Sequence, residues 1–225
     1  MDSSQAKEFM QRERTVASDG YSGFFRQGTK RMMDIGLFLV ALPIAVPIIT
    51  ILYVIVRLDG GPGFFGHQRV GRNGRSFKVW KIRTMVLNAE QVLEEYLRND
   101  PEAAAEWSDS FKLARDPRIT PLGRFLRETS LDELPQIWNV FKGEMSFVGP
   151  RPIVRDELAK YEGREWVYLS SKPGITGLWQ VSGRNDVDYR TRVEFDLTYA
   201  KTQSLYGDLV ILLRTVGVVI GRTGR

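Results

Sequence analysis

The stretch IGLFLVALPIAVPIITILYVIV, residues 35–56, is 22 residues long and contains no charged side chain. A straight helix of this length covers about 33 Å, enough to cross the hydrocarbon core of a bilayer. Pro43 and Pro47 lie four residues apart, on nearly the same helix face, so their kinks add. Basic residues flank both ends, namely Arg26, Lys30 and Arg31 before the stretch and Arg57, Arg69 and Arg72 after it. Because positive flanks favour the cytoplasmic side, the sequence predicts a re-entrant hairpin that enters and leaves by one leaflet.

Two other courses for this segment stay open from the sequence alone: a single span with a proline kink, and a helix buried in a soluble protein. The chain as a whole predicts an α+β fold in one domain, with a proline-broken re-entrant membrane helix and amphipathic interfacial helices. We expect a polar leader at residues 1–29, the hairpin at 30–58 and a cytoplasmic catalytic domain at 59–225.

Composition narrows the chemistry available to the chain. With no cysteine and a single histidine, His67, among 225 residues, it has no disulfide framework, thiolate zinc site or histidine triad. Any acid, base or nucleophile is therefore expected to be a carboxylate or a lysine. The net charge of +5 predicts an acidic partner, which can be nucleic acid, anionic lipid or a phosphorylated substrate.

Glycines at positions 61, 63 and 66 match the dinucleotide-binding spacing GxGxxG, but their context excludes that function. A Rossmann motif needs a strand before it and a helix after it, whereas an apolar helix precedes these glycines and an Asn73-Gly74 turn follows. We predict two strands around this turn, at residues 64–70 and 75–82.

The rest of the chain is predicted to be mostly helical. Helices are expected at residues 87–114 with a break at Pro101, at 122–127 as an amphipathic run, from Ser130 onward, at 161–169 and at 205–220. A turn-and-strand region is expected at residues 173–185, and the helix at 205–220 is expected to be a core or interfacial helix.

The stretch from Ser130 to Gln136, SLDELPQ, carries adjacent carboxylates, Asp132 and Glu133. Ser130 with Glu133 three residues later also matches a capping box, which would explain the acids structurally. A chemical role is the competing interpretation. Mg²⁺ prefers one or two carboxylates plus phosphate oxygens, and aspartate is a nucleophile in covalent phosphoryl chemistry.

Three further stretches carry candidate phosphate-binding cations. Arg151 stands between Pro150 and Pro152, which presents its guanidinium stiffly; a plain turn with a solvated arginine is the alternative. Arg184 follows Gly183 in a glycine-rich region, and Lys81 lies in the second predicted strand. Taken singly, these two are more often ordinary turn and strand residues.

Together these stretches resemble the bacterial sugar transferase family, the monotopic polyprenyl-phosphate phosphoglycosyl transferases, from Lys30 to Gly221. The matching motifs are Lys30-Arg31 with Asp34, FKVWKIRTM at 77–85, DELPQ at 132–136, VGPRP at 148–152 and KPGITG at 172–177. GLWQVSGRNDV at 177–187 is most similar to the exopolysaccharide and O-antigen branch that starts with galactose or glucose 1-phosphate. The family often has Ser-Pro at the helix break, where this chain has Leu42-Pro43 and Val46-Pro47.

The resemblance implies a reaction and residue roles. Asp132 would attack the phosphate next to the sugar of a UDP-sugar, releasing UMP, and undecaprenyl phosphate would then take the phosphosugar. Glu133, with Asp132, would hold Mg²⁺, and Lys81 would be a charge partner. The residues implied to contact phosphate are Arg127, Arg151 and Arg184. Asp208 matches a further family acid. The expected sugar is galactose first and glucose second. The resemblance also implies that the protein acts at the cytoplasmic face of the bacterial inner membrane, in contact with membrane lipids.

Two other functions compete with this one. Asp186 and Asp188 form the Asp-x-Asp pattern of nucleotide-sugar glycosyltransferases, which release UDP instead of UMP. A basic membrane-associated scaffold or nucleic-acid binder would also fit the charge. However, no known nucleic-acid motif is present, so no nucleic-acid partner is expected.

Overall fold

In the computed structural model, the described residues are 3–110, 113–182 and 188–220, with the backbone alone described for 3–26, 109–110 and 219–220. The first helix, α1, runs from Ser3 to Arg57 and contains Pro43 and Pro47. The predicted boundary between leader and anchor at residue 30 lies within this helix. Its part from Gln27 to Arg57 is long and apolar enough to cross a membrane.

One face of α1 packs against the rest of the protein along the whole apolar segment. Phe38 and Ala45 pack with Ile137, while Leu52 and Val56 pack with a cluster further along the chain. These buried positions are four or seven residues apart, as expected for one stripe of a helix. The opposite face stays exposed and apolar, through Met32, Leu39, Val40, Ile44, Val46, Ile51, Val54, Ile55 and Leu58.

A β-hairpin follows α1 and positions the first candidate residue. Strands β1 (Phe64–Val70) and β2 (Ser76–Ile82) pair antiparallel, with Phe65 opposite Lys81. Asn73 and Gly74 adopt φ values of 59° and 76° in the connection, the left-handed conformation that Asn-Gly favours. The predicted hairpin is confirmed, with β2 starting one residue later than expected.

Three helices lie between the hairpin and the acid pair. They are α2 (Ala89–Asn99), α3 (Pro101–Ser110) and α4 (Pro121–Glu128), so the predicted break at Pro101 is confirmed. Thr120 caps α4 by accepting a hydrogen bond from the backbone of Gly123, 2.9 Å away. Leu126 is fully buried and Arg124 is exposed, which confirms the amphipathic character of this helix, although Phe125 is half exposed.

The second half of the chain builds around a short parallel strand pair. Helix α5 (Gln136–Lys142) precedes β3 (Ser146–Val148), which pairs with β4 (Gly174–Thr176). Helices α7 (Leu178–Ser182), α8 (Tyr189–Thr202) and α9 (Leu205–Ile220) complete the described fold. Helix α9 was predicted with these bounds, and Ile211 places one side of it in the core.

Two predicted elements differ from the structure. The helix expected at residues 161–169 is interrupted: a 3-10 helix occupies Arg155–Tyr161, and α6 covers only Glu165–Leu169. Glu162 and Gly163 between them have φ values of 50° and 82°, which no right-handed helix accommodates. In the turn-and-strand region expected over 173–185, the strand ends at Thr176 and α7 follows it; residues 183–187 lie outside the described part.

Candidate active site

The acid pair lies in a 3-10 helix, Leu131–Glu133, between α4 and α5. Ser130 has a left-handed φ of 57°, and its side chain makes no capping hydrogen bond. The capping-box interpretation is therefore wrong, because the serine does not satisfy a backbone N–H of the following turn. Asp132 is buried, so its carboxylate occupies an interior position that helix capping does not explain.

Lys81, near the end of β2, joins the two acids. Its Nζ lies 2.6 Å from Oε1 of Glu133 and 3.5 Å from Oδ2 of Asp132. Asn139 of α5 holds the strand in place: its amide donates to the carbonyl of Lys78 (2.8 Å) and its Oδ1 accepts from the N–H of Trp80 (3.2 Å). The helix that follows the acid pair thus fixes the strand that carries the lysine.

The two carboxylates respond differently to this environment. Burial raises the pKa of Asp132 above its ordinary value, against the opposing charge of Lys81. Burial also works against ionisation of Glu133, but Lys81, the charge of Arg151 and a hydrogen bond with Gln136 together outweigh it, so the pKa of Glu133 falls below its usual range. Lys81 and Arg127 therefore favour the ionised form of Asp132, which burial disfavours.

Arg127, in the last turn of α4, faces the acid pair from the other side. Its Nε donates to Oγ1 of Thr84 at 2.9 Å, and burial lowers its pKa while the charge of Asp132 opposes that shift. Thr84 had no assigned role from the sequence, although it follows β2 by two residues. Gly123 permits this contact, because a side chain there would start 2.0 Å from the carbonyl oxygen of Thr84.

Arg151 is exposed in the loop after β3, and its charge helps to lower the pKa of Glu133. The loop is pinned to the region of β4: the N–H of Gly149 donates to the carbonyl of Thr176 (2.9 Å), and the N–H of Gly174 donates to that of Pro150 (2.8 Å). A side chain at Gly174 would start 2.1 Å from the Gly149 nitrogen. These glycines therefore allow the two loops to pack closely, which fixes the position of Arg151. Arg184 lies outside the described residues.

Asp208, the further candidate acid, is not brought to the acid pair. It is buried on α9, where its Oδ2 lies 2.6 Å from Nζ of Lys30 and its Oδ1 accepts from the Tyr199 hydroxyl at 2.8 Å. These contacts tie α1 to α8 and α9, whereas the sequence predicted only that Asp208 matches a family acid, without a defined role. No short sequence pattern links positions 30, 199 and 208, so the contacts among these three residues could not be predicted from the sequence.

Both ends of the apolar part of α1 are held by the same domain. At the start, Asp34 accepts from the Ser146 hydroxyl (2.8 Å) and from the N–H of Phe147 (3.0 Å). At the end, the guanidinium of Arg83, two residues after Lys81, donates to the Val56 carbonyl (2.9 Å) and pairs with Asp59. Hydrogen bonds and an ion pair therefore connect the end of α1 to the residues that directly follow β2, the strand that carries Lys81.

No group of three or more metal-ligating side chains occurs within residues that the structure describes. Asp132 and Glu133 supply two carboxylates, the number Mg²⁺ uses when phosphate oxygens and water complete its shell. Asp188 has a structural role in this fold, because it caps α8 by accepting from the N–H of Thr191 at 2.7 Å. Asp186 lies outside the described part of the chain.

Comparison with known proteins gives one family. The family described as "Bacterial sugar transferase" matches residues 25–222. Two relatives align over 195 residues, 87% of this chain and 41% of their own length: "Undecaprenyl-phosphate galactose phosphotransferase" of Salmonella typhimurium at 57% identity and "UDP-galactose-lipid carrier transferase" of Erwinia amylovora at 55%. "Exopolysaccharide production protein ExoY" of Rhizobium meliloti is 50% identical over 191 residues, 84% of each chain. The chain thus spans about two fifths of the first two relatives and most of the third.

Proposed function

This chain belongs to the bacterial sugar transferase family, and we propose that it transfers a hexose 1-phosphate from a UDP-sugar to undecaprenyl phosphate, with release of UMP. Galactose is the first choice of sugar and glucose the second, because two similar relatives carry galactose in their names. The reaction would be the first membrane step in making an exopolysaccharide or O-antigen, in keeping with the name of the Rhizobium relative.

The observation that carries the proposal is the Lys81 ammonium between the carboxylates of Asp132 and Glu133. A carboxylate oxygen of Asp132 attacks the phosphorus bonded to the sugar, and the bond to the bridging oxygen breaks, so UMP leaves with that oxygen. A phosphate oxygen of undecaprenyl phosphate then attacks the same phosphorus. The bond to Asp132 breaks, which regenerates the carboxylate and leaves a lipid diphosphate sugar.

The neighbouring cations support each part of this sequence. Lys81 favours the ionised form of Asp132, which burial would otherwise disfavour. Arg127 and Arg151 approach the acid pair from α4 and from the loop after β3, where guanidinium groups suit phosphate oxygens. We assign both to the diphosphate, with Arg184 as a further contact.

Asp132 and Glu133 would hold Mg²⁺ together with oxygens of the diphosphate. When bound, the ion would neutralise charge between the carboxylates and the incoming phosphates. Chelation with EDTA should stop UMP release, and added Mg²⁺ should restore it. Glu133→Gln should raise the Mg²⁺ concentration needed for half-maximal rate.

The packing of α1 supports a monotopic anchor on the cytoplasmic face of the inner membrane. A helix that crossed the bilayer could contact the rest of the domain at one end only, whereas α1 contacts it from Asp34 to Val56. Its other face is apolar and exposed, as lipid contact requires. A re-entrant course around Pro43 and Pro47 lets both ends stay with the domain while this face enters the lipid.

The nucleotide product tests the proposal against the glycosyltransferase alternative. A panel of UDP-sugars is incubated with the chain, undecaprenyl phosphate and Mg²⁺, and the released nucleotide is separated by anion-exchange chromatography. We expect UMP, fastest with UDP-galactose. Release of UDP, with loss of activity in Asp188→Asn, would favour the alternative instead.

A further inference from the structure

A second cluster of cations lies at the opposite end of α5 from the acid pair. Gly143 ends this helix, and a side chain there would start 3.5 Å from Nζ of Lys172 and 3.7 Å from Nη2 of Arg31. Arg31 donates to the carbonyls of Val140 and Phe141 at 2.5 and 2.6 Å, so it caps the helix as well. Two cationic groups thus converge on one point of the surface.

Arg72 adds a third positive charge to the cluster. Its guanidinium donates to the Gln27 amide oxygen at 2.6 Å. Among the described residues, none of Lys172, Arg31 and Arg72 forms an ion pair with a carboxylate. Burial and then the charge of Arg31 lower the pKa of Lys172, with Arg72 and Lys30 acting the same way and Asp34 against it. The cluster therefore repels itself and would be stabilised by an anion.

The side chains around the cluster are of the kind found at the headgroup level of a membrane. Met32, Trp138 and Phe141 are exposed beside it, although all three are large and apolar. Phe141 stacks on Trp138 and on Phe38 of α1, with ring centroids 5.2 and 4.8 Å apart. Exposed tryptophan next to basic side chains is typical of the headgroup region, where an apolar ring and a charge are both accommodated.

The cluster is separate from the acid pair. Helix α5 has seven residues and spans about 10 Å, with the acids before its first turn and Gly143 after its last. None of the three cations is among the charges that shift the pKa of Asp132 or Glu133. The transferase chemistry therefore leaves this positive charge unexplained.

We propose that Lys172, Arg31 and Arg72 bind the phosphate of an anionic membrane phospholipid, with the Trp138–Phe141 pair beside its acyl chains. The site goes beyond the transferase reaction and does not depend on it. It would hold the start of the apolar segment at the headgroup level, while Arg83 and Asp59 hold its end. An anionic lipid supplies both the negative charge the cluster lacks and the apolar contact the aromatic side chains require.

The test uses native mass spectrometry of the chain in detergent, titrated with phosphatidylglycerol or with phosphatidylcholine. The variant Lys172→Gln/Arg72→Gln removes two charges and leaves Arg31 to cap α5. The control Lys160→Gln/Arg190→Gln removes two exposed charges elsewhere. A basic residue near a membrane surface contributes a factor of roughly five in binding, so we expect the cluster variant to bind phosphatidylglycerol about 25-fold more weakly. The control and the wild type should prefer phosphatidylglycerol equally.

Thermal unfolding in detergent separates binding from folding. Because the cluster repels itself, Lys172→Gln/Arg72→Gln should melt no lower than wild type without lipid, and phosphatidylglycerol should raise the melting temperature of wild type only. Equal binding of the two lipids, or unchanged phosphatidylglycerol binding in the variant, would overturn the proposal. Equal stabilisation by inorganic phosphate would overturn it in favour of a free anion. A raised KM for undecaprenyl phosphate in the variant, measured without phospholipid, would overturn it in favour of the acceptor lipid.

Discussion

Asp208→Asn tests whether the buried cluster of Lys30, Tyr199 and Asp208 is a structural link or part of the chemistry. Asp208 is 1% exposed and the side chain of Lys30 is 11% exposed, so both charges are shielded from water. Removing one partner of a buried ion pair costs about 3–5 kcal/mol, since the other charge is left without compensation. For a chain of this size each kcal/mol lowers the melting temperature by about 2–4 °C, so we expect a fall of about 10 °C.

Two comparisons assign that loss to the pair. Tyr199→Phe removes the hydroxyl that donates to Asp208 and accepts from Lys30 and Gln203, and loss of the hydrogen bond to the carboxylate alone should cost about 1.5–3 kcal/mol. Asp156→Asn, at an exposed acid with no ion pair in the described part of the chain, should cost less than about 0.5 kcal/mol. Lys30→Met/Asp208→Asn should be less destabilised than the two single variants together, because neither charge is left unpaired.

The assay combines scanning calorimetry in detergent with steady-state kinetics at a temperature where every variant is folded. A structural link predicts a lower melting temperature with KM for the UDP-sugar unchanged. If Asp208→Asn keeps the wild-type melting temperature and loses its turnover, Asp208 acts in the reaction and the contacts with Lys30 do not describe its role.

Three further perturbations have defined outcomes. Lys81→Gln removes the charge that favours ionised Asp132, so the acid limb of the pH–rate profile should move to higher pH; an unmoved limb would contradict the assignment. Pro43→Ala/Pro47→Ala should straighten α1 and change which side labels reporter cysteines at positions 20 and 75, which we expect on one side in the parent; unchanged labelling and turnover would show that the prolines do not set its course. Burial raises the pKa of Asp196 to about 7, so the folded state holds a proton that the unfolded state releases near pH 4. Stability should therefore fall between about pH 4 and pH 7, and Asp196→Asn should flatten that fall in pH-dependent calorimetry.

Local patterns predicted the elements whose structure is locally determined. The Asn73-Gly74 turn needs only its own left-handed backbone, and the break at Pro101 needs only a missing N–H, so both were visible in the sequence. The interruption at Glu162 was missed because glutamate seldom adopts a positive φ, and only Gly163 beside it signalled a turn.

Sequence patterns could not predict the contacts between residues that are far apart in the chain. The acid pair was visible as a motif, but the left-handed Ser130, which removes the capping explanation, is a property of the folded backbone. Asp208 matched a family acid, yet its partner lies 178 positions away in α1. Gly149 and Gly174 allow the two loops to pack closely on each other, a contact that neither motif reveals by itself.

The most direct test of the central claim is intact-protein and peptide mass spectrometry after incubation with UDP-galactose and Mg²⁺, without undecaprenyl phosphate. We expect one equivalent of UMP and a hexose-phosphate adduct on the peptide that contains Asp132, discharged when undecaprenyl phosphate is added. Asp132→Asn keeps the shape of the side chain but should give neither adduct nor UMP, while Asp156→Asn serves as the matched control and should give both. An active Asp132→Asn variant, or a parent enzyme that turns over without ever carrying the adduct, would contradict a covalent role for Asp132.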